Sequence, residues 1–146
     1  MTQLTPVLSA HWDEPDAFTL AGYERHGGYD ALRKALGLAP GDILQAVKES
    51  GLRGRGGAGF PTGRKASLLA KGTGKPTYLV INADESEPGS SKDRDVMRFT
   101  PHRLIEGCLI TAHGIDSQSV FIYIRGEYAH EFEVMRDAVE ETRRAG

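Results

Sequence analysis

The sequence predicts an α/β fold built on a parallel sheet. Two short apolar, β-branched runs at 77–82 and 120–124 flank a single helical segment, and a glycine-rich stretch precedes the first of them. Continuous apolar runs of this length read as buried parallel strands. A strand-helix-strand unit closes with a right-handed crossover, so the carboxyl ends of both strands reach the same sheet edge. A chain of 146 residues with 39% hydrophobic content has enough apolar side chain for one globular core, which gives one such domain or most of one.

In chain order, residues 1–28 read as an irregular arm containing Pro6 and Pro15, and 29–36 as a short amphipathic helix. A second helix at 42–50 is predicted from Asp42 and Gln45 at capping-box spacing, from Ile43, Leu44 and Val47 on one face, and from Gly51 as its stop. After the glycine loop, Thr62 is placed to cap a brief helix to 69, and a Gly/Lys turn fills 71–76. The first strand then runs into a long loop. A helix at 101–113 opens on Pro101, which suits a first helical turn. The last helix, 128–144, carries Phe132, Val134, Met135, Ala138 and Val139 as its inner stripe. The organisation expected is an N-terminal arm and short helix over 1–40 and the α/β domain over 41–146.

The run 51–65 reads GLRGRGGAGFPTGRK. Glycines let backbone N–H groups approach an anion, successive amides in a turn form a concave nest, and Arg or Lys supplies compensating charge. A phosphate cradle and an ordinary glycine turn both fit this stretch taken alone. Gly54, Gly56 and Gly59 match the spacing of a dinucleotide fingerprint, but that motif needs a strand before it, and a helix stands there instead. No Gly-Lys-Ser/Thr follows, so the Walker pattern fails as well. An arginine-glycine RNA-binding segment conflicts with 18 basic against 20 acidic residues and a net charge of −2.

The first strand ends in Asn82-Ala83-Asp84-Glu85-Ser86-Glu87-Pro88-Gly89, an amide and three carboxylates at the edge where open α/β sheets bind ligands. The second ends in Tyr123, Arg125, Gly126 and Glu127, and the two ends are expected to converge under the glycine loop. Such a mixture offers cationic and N–H donors to an anion and acceptors to hydroxyl groups. Cys108 is the sole cysteine and falls with Leu104, Ile105, Leu109 and Ala112 on a helix face, which reads as a buried structural thiol. No disulfide can form within these residues, which points to a reducing, cytoplasmic setting. No apolar run reaches membrane-spanning length, and the start lacks a signal peptide's pattern. The histidines His11, His26, His102, His113 and His130 are dispersed without ligand spacing, so no metal site is expected, and surface or helix-end positions are.

The motifs at 51–63, 82–89, 92–94 (KDR), 101–107 (PHRLIEG) and 123–128 (YIRGEY) occur in order and together resemble the F-type, NADH-binding flavoprotein subunit of respiratory NADH:quinone oxidoreductase (complex I). The opening, with His11-Trp12 and the segment 23–29, resembles bacterial members, so the likeness covers nearly the whole chain. The resemblance implies a Rossmann-like flavin/NADH-binding domain that takes hydride from NADH onto FMN and passes single electrons to iron–sulfur clusters. It implies cofactor contacts at Gly54, Arg55, Gly56, Gly57, Gly59, Gly63, Lys65, Asn82, Asp84, Glu85, Tyr123, Gly126 and Glu127, with Phe60 and Glu87 on the nucleotide side. No acid–base residue is required for hydride transfer.

Members of that family continue into a β-grasp-like domain and a helical bundle holding a [4Fe–4S] cluster, which one cysteine cannot ligate. The implied partners are the other peripheral-arm subunits, especially a [2Fe–2S] thioredoxin-like subunit and a multi-cluster iron–sulfur subunit, without nucleic acid or direct membrane insertion. The implied location is the cytoplasmic side of the inner membrane, reached through those partners. The flavin subunit of an NAD-linked hydrogenase or formate dehydrogenase, and a non-catalytic nucleotide-binding or assembly module, are the alternatives. Where members commonly place aromatics after the loop, this chain has Ala66-Ser67-Leu68, which removes a stacking contribution to nucleotide binding.

Overall fold

The computed structural model describes residues 5–70 and 72–146. Seven helices and two strands follow in the order α1 (Leu20–Arg25), α2 (Asp30–Leu36), α3 (Pro40–Glu49), α4 (Thr62–Ser67), β1 (Tyr78–Ala83), α5 (Lys92–Phe99), α6 (Pro101–Gly114), β2 (Ser119–Ile124) and α7 (Ala129–Ala145). β1 and β2 pair in parallel, with Tyr78 opposite Ser119 and Ala83 opposite Ile124. The α/β class and the α6 crossover therefore stand as expected. Parts of the expected arm (1–28) and of the Gly/Lys turn (71–76) fall on residues 1–4 and 71, outside the described residues.

The core lies on one side of the sheet. Ala83, Ile122 and Ile124 pack against Met97 of α5, Ile105 of α6 and Met135 and Ala138 of α7, and Leu79 and Ile81 lie half-buried on the same face of β1. The opposite face carries Tyr78, Val80, Phe121 and Tyr123, all more than half exposed. This corrects the reading of a strand buried on both sides. Parallel strands need helices over both faces, and the described residues supply one layer.

Two helices were not anticipated. α1 interrupts the expected irregular arm: Thr19 accepts a hydrogen bond from the Gly22 amide through its side chain at 3.1 Å, an N-cap for a helix of six residues. α5 replaces half of the expected long loop. Its sequence KDRDVMRF offers a thin apolar stripe, and its start is fixed from a distance, as described below.

Boundaries also shift. α3 begins at Pro40 after Ala39, so Asp42 lies in the first turn and makes no cap; proline, whose missing N–H costs nothing there, sets the start instead. α4 starts on Thr62 itself, with Pro61 at the cap position and no side-chain cap bond. On α7 the inward positions are Glu131, Met135 and Ala138, and Phe132 is 51% exposed. Buried Glu131 takes that place because Arg98 of α5 reaches it at 2.6 Å.

Polar contacts dock the N-terminal helices on α6. Glu106 accepts the Leu32 amide at 2.9 Å and the Tyr23 hydroxyl, while His102, fully buried rather than exposed, bonds Tyr29 through Nδ1 (2.9 Å) and Glu141 through Nε2 (3.1 Å). Burial lowers the His102 pKa, partly opposed by Glu141. Cys108 sits on the inner face of α6 as expected, and burial pushes its thiol up to about 11.

Candidate functional site

The glycine run folds back on itself. Gly54 donates its amide to the Phe60 carbonyl and Thr62 donates to Leu52, both at 2.9 Å, and Arg53 and Pro61 form an antiparallel bridge. The tip between these closures contains Gly57 (φ 104°) and Gly59 (φ 60°), both in the region that disfavours side chains. Among the described residues, the amides of Arg55, Gly56, Gly57, Ala58 and Gly59 have no protein acceptor. Such a run of free N–H groups is the element an anion requires.

The loop tip opens on the sheet edge. Arg55 and Gly56 share a cleft of about 510 Å³ with Asn82, Asp84, Glu85, Glu87 and Lys92, a size that accepts a small cofactor. The strand ends meet there: Ala83 pairs with Ile124, and Arg125 donates its amide to the Ala83 carbonyl at 3.3 Å. Asn82 turns its side-chain oxygen to the Asp84 amide at 3.0 Å, and the Ser86 hydroxyl donates to the Asp84 carboxylate. These bonds leave Asp84 half-buried at the lip of the cleft, with acceptor capacity to spare.

Glu85 points the other way. Its backbone is left-handed (φ 42°), and its side chain, 1% exposed, accepts the amides of Asp93 (2.7 Å) and Arg94 (2.9 Å), the Ser90 hydroxyl (3.2 Å) and the Tyr128 hydroxyl (3.3 Å). Its carbonyl oxygen accepts Arg125 Nη1 at 3.2 Å. The carboxylate thus starts α5 and ties both strand ends to it. Burial raises its pKa, but the amides of Asp93 and Arg94, the Ser90 hydroxyl and Lys92 outweigh that and leave it below the usual carboxylate range.

The other sequence-derived positions separate into groups. Gly63 is buried in the α3–α4 contact, where an added Cβ would lie 2.6 Å from the Lys48 amide nitrogen, so packing alone accounts for glycine there. Phe60 is 44% exposed with the Arg64 guanidinium 5.9 Å from its ring centre, and Lys65 is exposed on α4; neither lines the cleft. Glu127 pairs with Arg125 at 3.0 Å, which holds its carboxyl below the usual range. Tyr123 stands beside Asn82 on the open sheet face, and Gly126 has open space around it. Ser86, Lys92 and Asp93 also line the cleft without standing among the expected contacts, although Lys92 and Asp93 belong to the KDR motif.

Residues 47–146 match the family described as the Nuo51 FMN-binding domain. The chain is 55% identical over 143 residues to the F-type subunit of NADH-quinone oxidoreductase from Streptomyces coelicolor, covering 98% of this chain and 32% of that protein. To its counterpart from Mycobacterium tuberculosis it is 53% identical over 152 residues, covering 99% and 34%. The chain therefore spans about a third of the length of these relatives. Among solved structures it resembles an NAD+-reducing [NiFe]-hydrogenase in the air-oxidized state, with a TM-score of 0.71 and 34% identity over 93% of this chain and 22% of that one. A free-amide glycine loop over a parallel sheet edge, and a match over 100 consecutive residues, agree: this chain belongs to the Nuo51 FMN-binding domain family.

Proposed function

We propose that the cleft holds FMN, and that the protein works as the NADH dehydrogenase module of an NADH:quinone oxidoreductase. The observation that carries this reading is the opening of the acceptor-free loop tip, at Arg55 and Gly56, into the same cleft as Asn82, Asp84 and Glu87. That set fits the group: amides for a phosphate, carboxylate and amide oxygens for hydroxyls, and a sheet edge for a planar ring. FMN bound there supplies the hydride-accepting chemistry toward NADH.

The chain's own residues bind and orient. Arg55, Gly56, Gly57 and Gly59 would give the phosphate a backbone cradle, held in shape by the bond from Gly54 to Phe60, with Lys65 of α4 as its cation. Gly63 lets α4 approach α3 and so sets where that lysine stands. Asn82 and Asp84 accept hydroxyl groups, and Tyr123, Gly126 and Glu127 border the ring. Glu87 places a negative charge beside the nicotinamide, and Phe60 offers a stacking surface. Glu85 holds the frame on which these groups sit. No residue need move a proton, because hydride transfer asks for alignment and exclusion of water.

Onward one-electron transfer runs to iron–sulfur clusters, including a [4Fe–4S] cluster outside these residues and those of a [2Fe–2S] thioredoxin-like subunit and a multi-cluster subunit. Cys108 takes no part, since it is buried. The assembly sits on the cytoplasmic side of the inner membrane through its partners; among the described residues no helix is long and apolar enough to cross a membrane. A second reading, the flavin subunit of an NAD-linked hydrogenase, draws on the hydrogenase likeness, but 55% identity to the quinone-linked relative against 34% to the hydrogenase favours the quinone-linked assembly.

Titration of FMN into the protein and its Lys65→Ala variant tests the site. A charge-assisted phosphate contact contributes about 1.5–3 kcal/mol, so the variant's Kd should rise roughly ten- to hundredfold. An unchanged Kd in a folded variant removes Lys65 from the phosphate site. Glu87→Gln should alter NADH kinetics at nearly full flavin occupancy. Loss of flavin with normal NADH kinetics would reverse its assignment.

A further inference from the structure

The fold brings together three side chains that the flavin site does not use. His11 and Glu14 belong to the N-terminal arm, and His26 follows the last residue of α1. Glu14 bridges the two imidazoles at their edges: Oε1 is 3.0 Å from His11 Nδ1, and Oε2 is 2.9 Å from His26 Nε2. The rings stack with centroids 3.7 Å apart and planes 9° from parallel. All three donor groups lie within 4.8 Å of one another. This corrects the expectation of histidines without ligand spacing: His11 and His26 are far apart in sequence and meet only because the arm folds back over α1.

We propose that His11, Glu14 and His26 form a binding site for a divalent cation of the zinc class, which fastens the N-terminal arm to the end of α1. Two imidazoles and a carboxylate are ligands that zinc accepts, with water in a fourth position. In a tetrahedral site with bonds of about 2.0–2.2 Å, neighbouring ligand atoms stand about 3.3–3.6 Å apart. The observed nitrogen–oxygen separations of 3.0 and 2.9 Å are already close to that. Two changes are required: the ring hydrogens that face Glu14 shift to the other ring nitrogens, which frees the lone pairs, and one ring tilts. Nearly parallel ring planes share no common point, so an imidazole must tilt for both lone pairs to meet one ion.

The surroundings allow that motion. Both histidines and Glu14 have side chains about one-third exposed, so the ring has room and the ion a route from solvent. The Glu14 carboxylate already sets one oxygen against each imidazole, Oε1 toward His11 and Oε2 toward His26. Arg25 is the competing cation, with Nη1 3.4 Å from Glu14 Oε2. Its guanidinium is engaged twice by Asp16, through Nη1 at 3.2 Å and through Nη2, and can stay there when Glu14 turns to a metal.

The test uses the full-length protein after chelator treatment. Zinc should bind at one equivalent by calorimetry with a Kd of about 1 µM or tighter, and zinc-edge X-ray absorption should report two imidazole nitrogens and a carboxylate oxygen. The His11→Gln/His26→Gln double variant should lose affinity by more than the roughly 10–100-fold that removing an outer-shell partner costs. The wild type, but not the variant, should gain thermal stability with zinc. No binding by the wild type, an absorption spectrum dominated by sulfur ligands, or equal binding by the folded double variant overturns the proposal. Should the variant fail to fold, the wild-type ligand spectrum alone decides.

Discussion

Replacing Glu85 probes the frame of the proposed flavin site, because its side chain turns away from the cleft. Its buried carboxylate takes the first amides of α5, those of Asp93 and Arg94, at 2.7 and 2.9 Å. Hydrogen bonds to a charged acceptor contribute about 1.5–3 kcal/mol each, bonds sharing one acceptor are not additive, and an N-cap alone contributes about 0.5–2 kcal/mol. Glu85→Ala should therefore cost about 3 kcal/mol, which for a chain of this size lowers Tm by roughly 10 °C. Glu85→Gln keeps the volume but turns an amide donor toward backbone donors, and should cost about 2 kcal/mol. Because Lys92 and Asp93 line the cleft from the same helix start, FMN affinity should fall with stability.

The pH dependence fixes the sign. The folded-state pKa of Glu85 lies below its ordinary value, so its contribution is fully present above the unfolded pKa and lost as pH falls through the folded one. In urea titrations the gap between wild type and Glu85→Gln should stay constant from about pH 6 to 8 and close below about pH 4. A midpoint equal to wild type at pH 7, or a gap that widens on acidification, refutes the capping role.

Two further outcomes follow from packing. Gly63→Ala puts a Cβ 2.6 Å from the Lys48 amide nitrogen and 2.8 Å from its Cα, so α3 and α4 must separate; overpacking of this kind costs about 1–3 kcal/mol, readable as a lower urea midpoint, and an unchanged midpoint would mean that α4 moves freely. Cys108, buried with its thiol raised to about 11, should resist a thiol-specific disulfide reagent at pH 8 until denaturant is added; immediate reaction of the native protein would place it at the surface.

Features written in local residue order were legible in the sequence. The two strands, the α6 crossover between them and the meeting of the strand ends at Ala83 and Arg125 came from apolar runs and one handedness rule. The fold-back of the glycine run could be anticipated as a turn, but the freedom of its amides depends on the closure between Gly54 and Phe60. What escaped was nonlocal. α5 has a weak apolar stripe, and its cap is a carboxylate eight residues upstream, behind a left-handed backbone at Glu85. That carboxylate was expected to meet the ligand because strand-end acids usually face the crevice. The left-handed turn sends it to the helix instead. Phe132 was placed inward by its spacing to Met135 and Val139, and was displaced by a charge pair between two helices, Arg98 with Glu131.

The sheet itself shows why apolar runs mislead about burial. Val80 and Phe121 are as hydrophobic as their inward neighbours, yet they are 63% and 55% exposed, beside Tyr78 and Tyr123. A strand facing water on one side should alternate apolar with polar residues. Tyr78-Leu79-Val80-Ile81 does not alternate, so this strand has the composition of a sheet layered on both faces, and the described residues provide helices on one. The open face runs continuously to Asn82 and Tyr123, which pair across the strands beside the cleft.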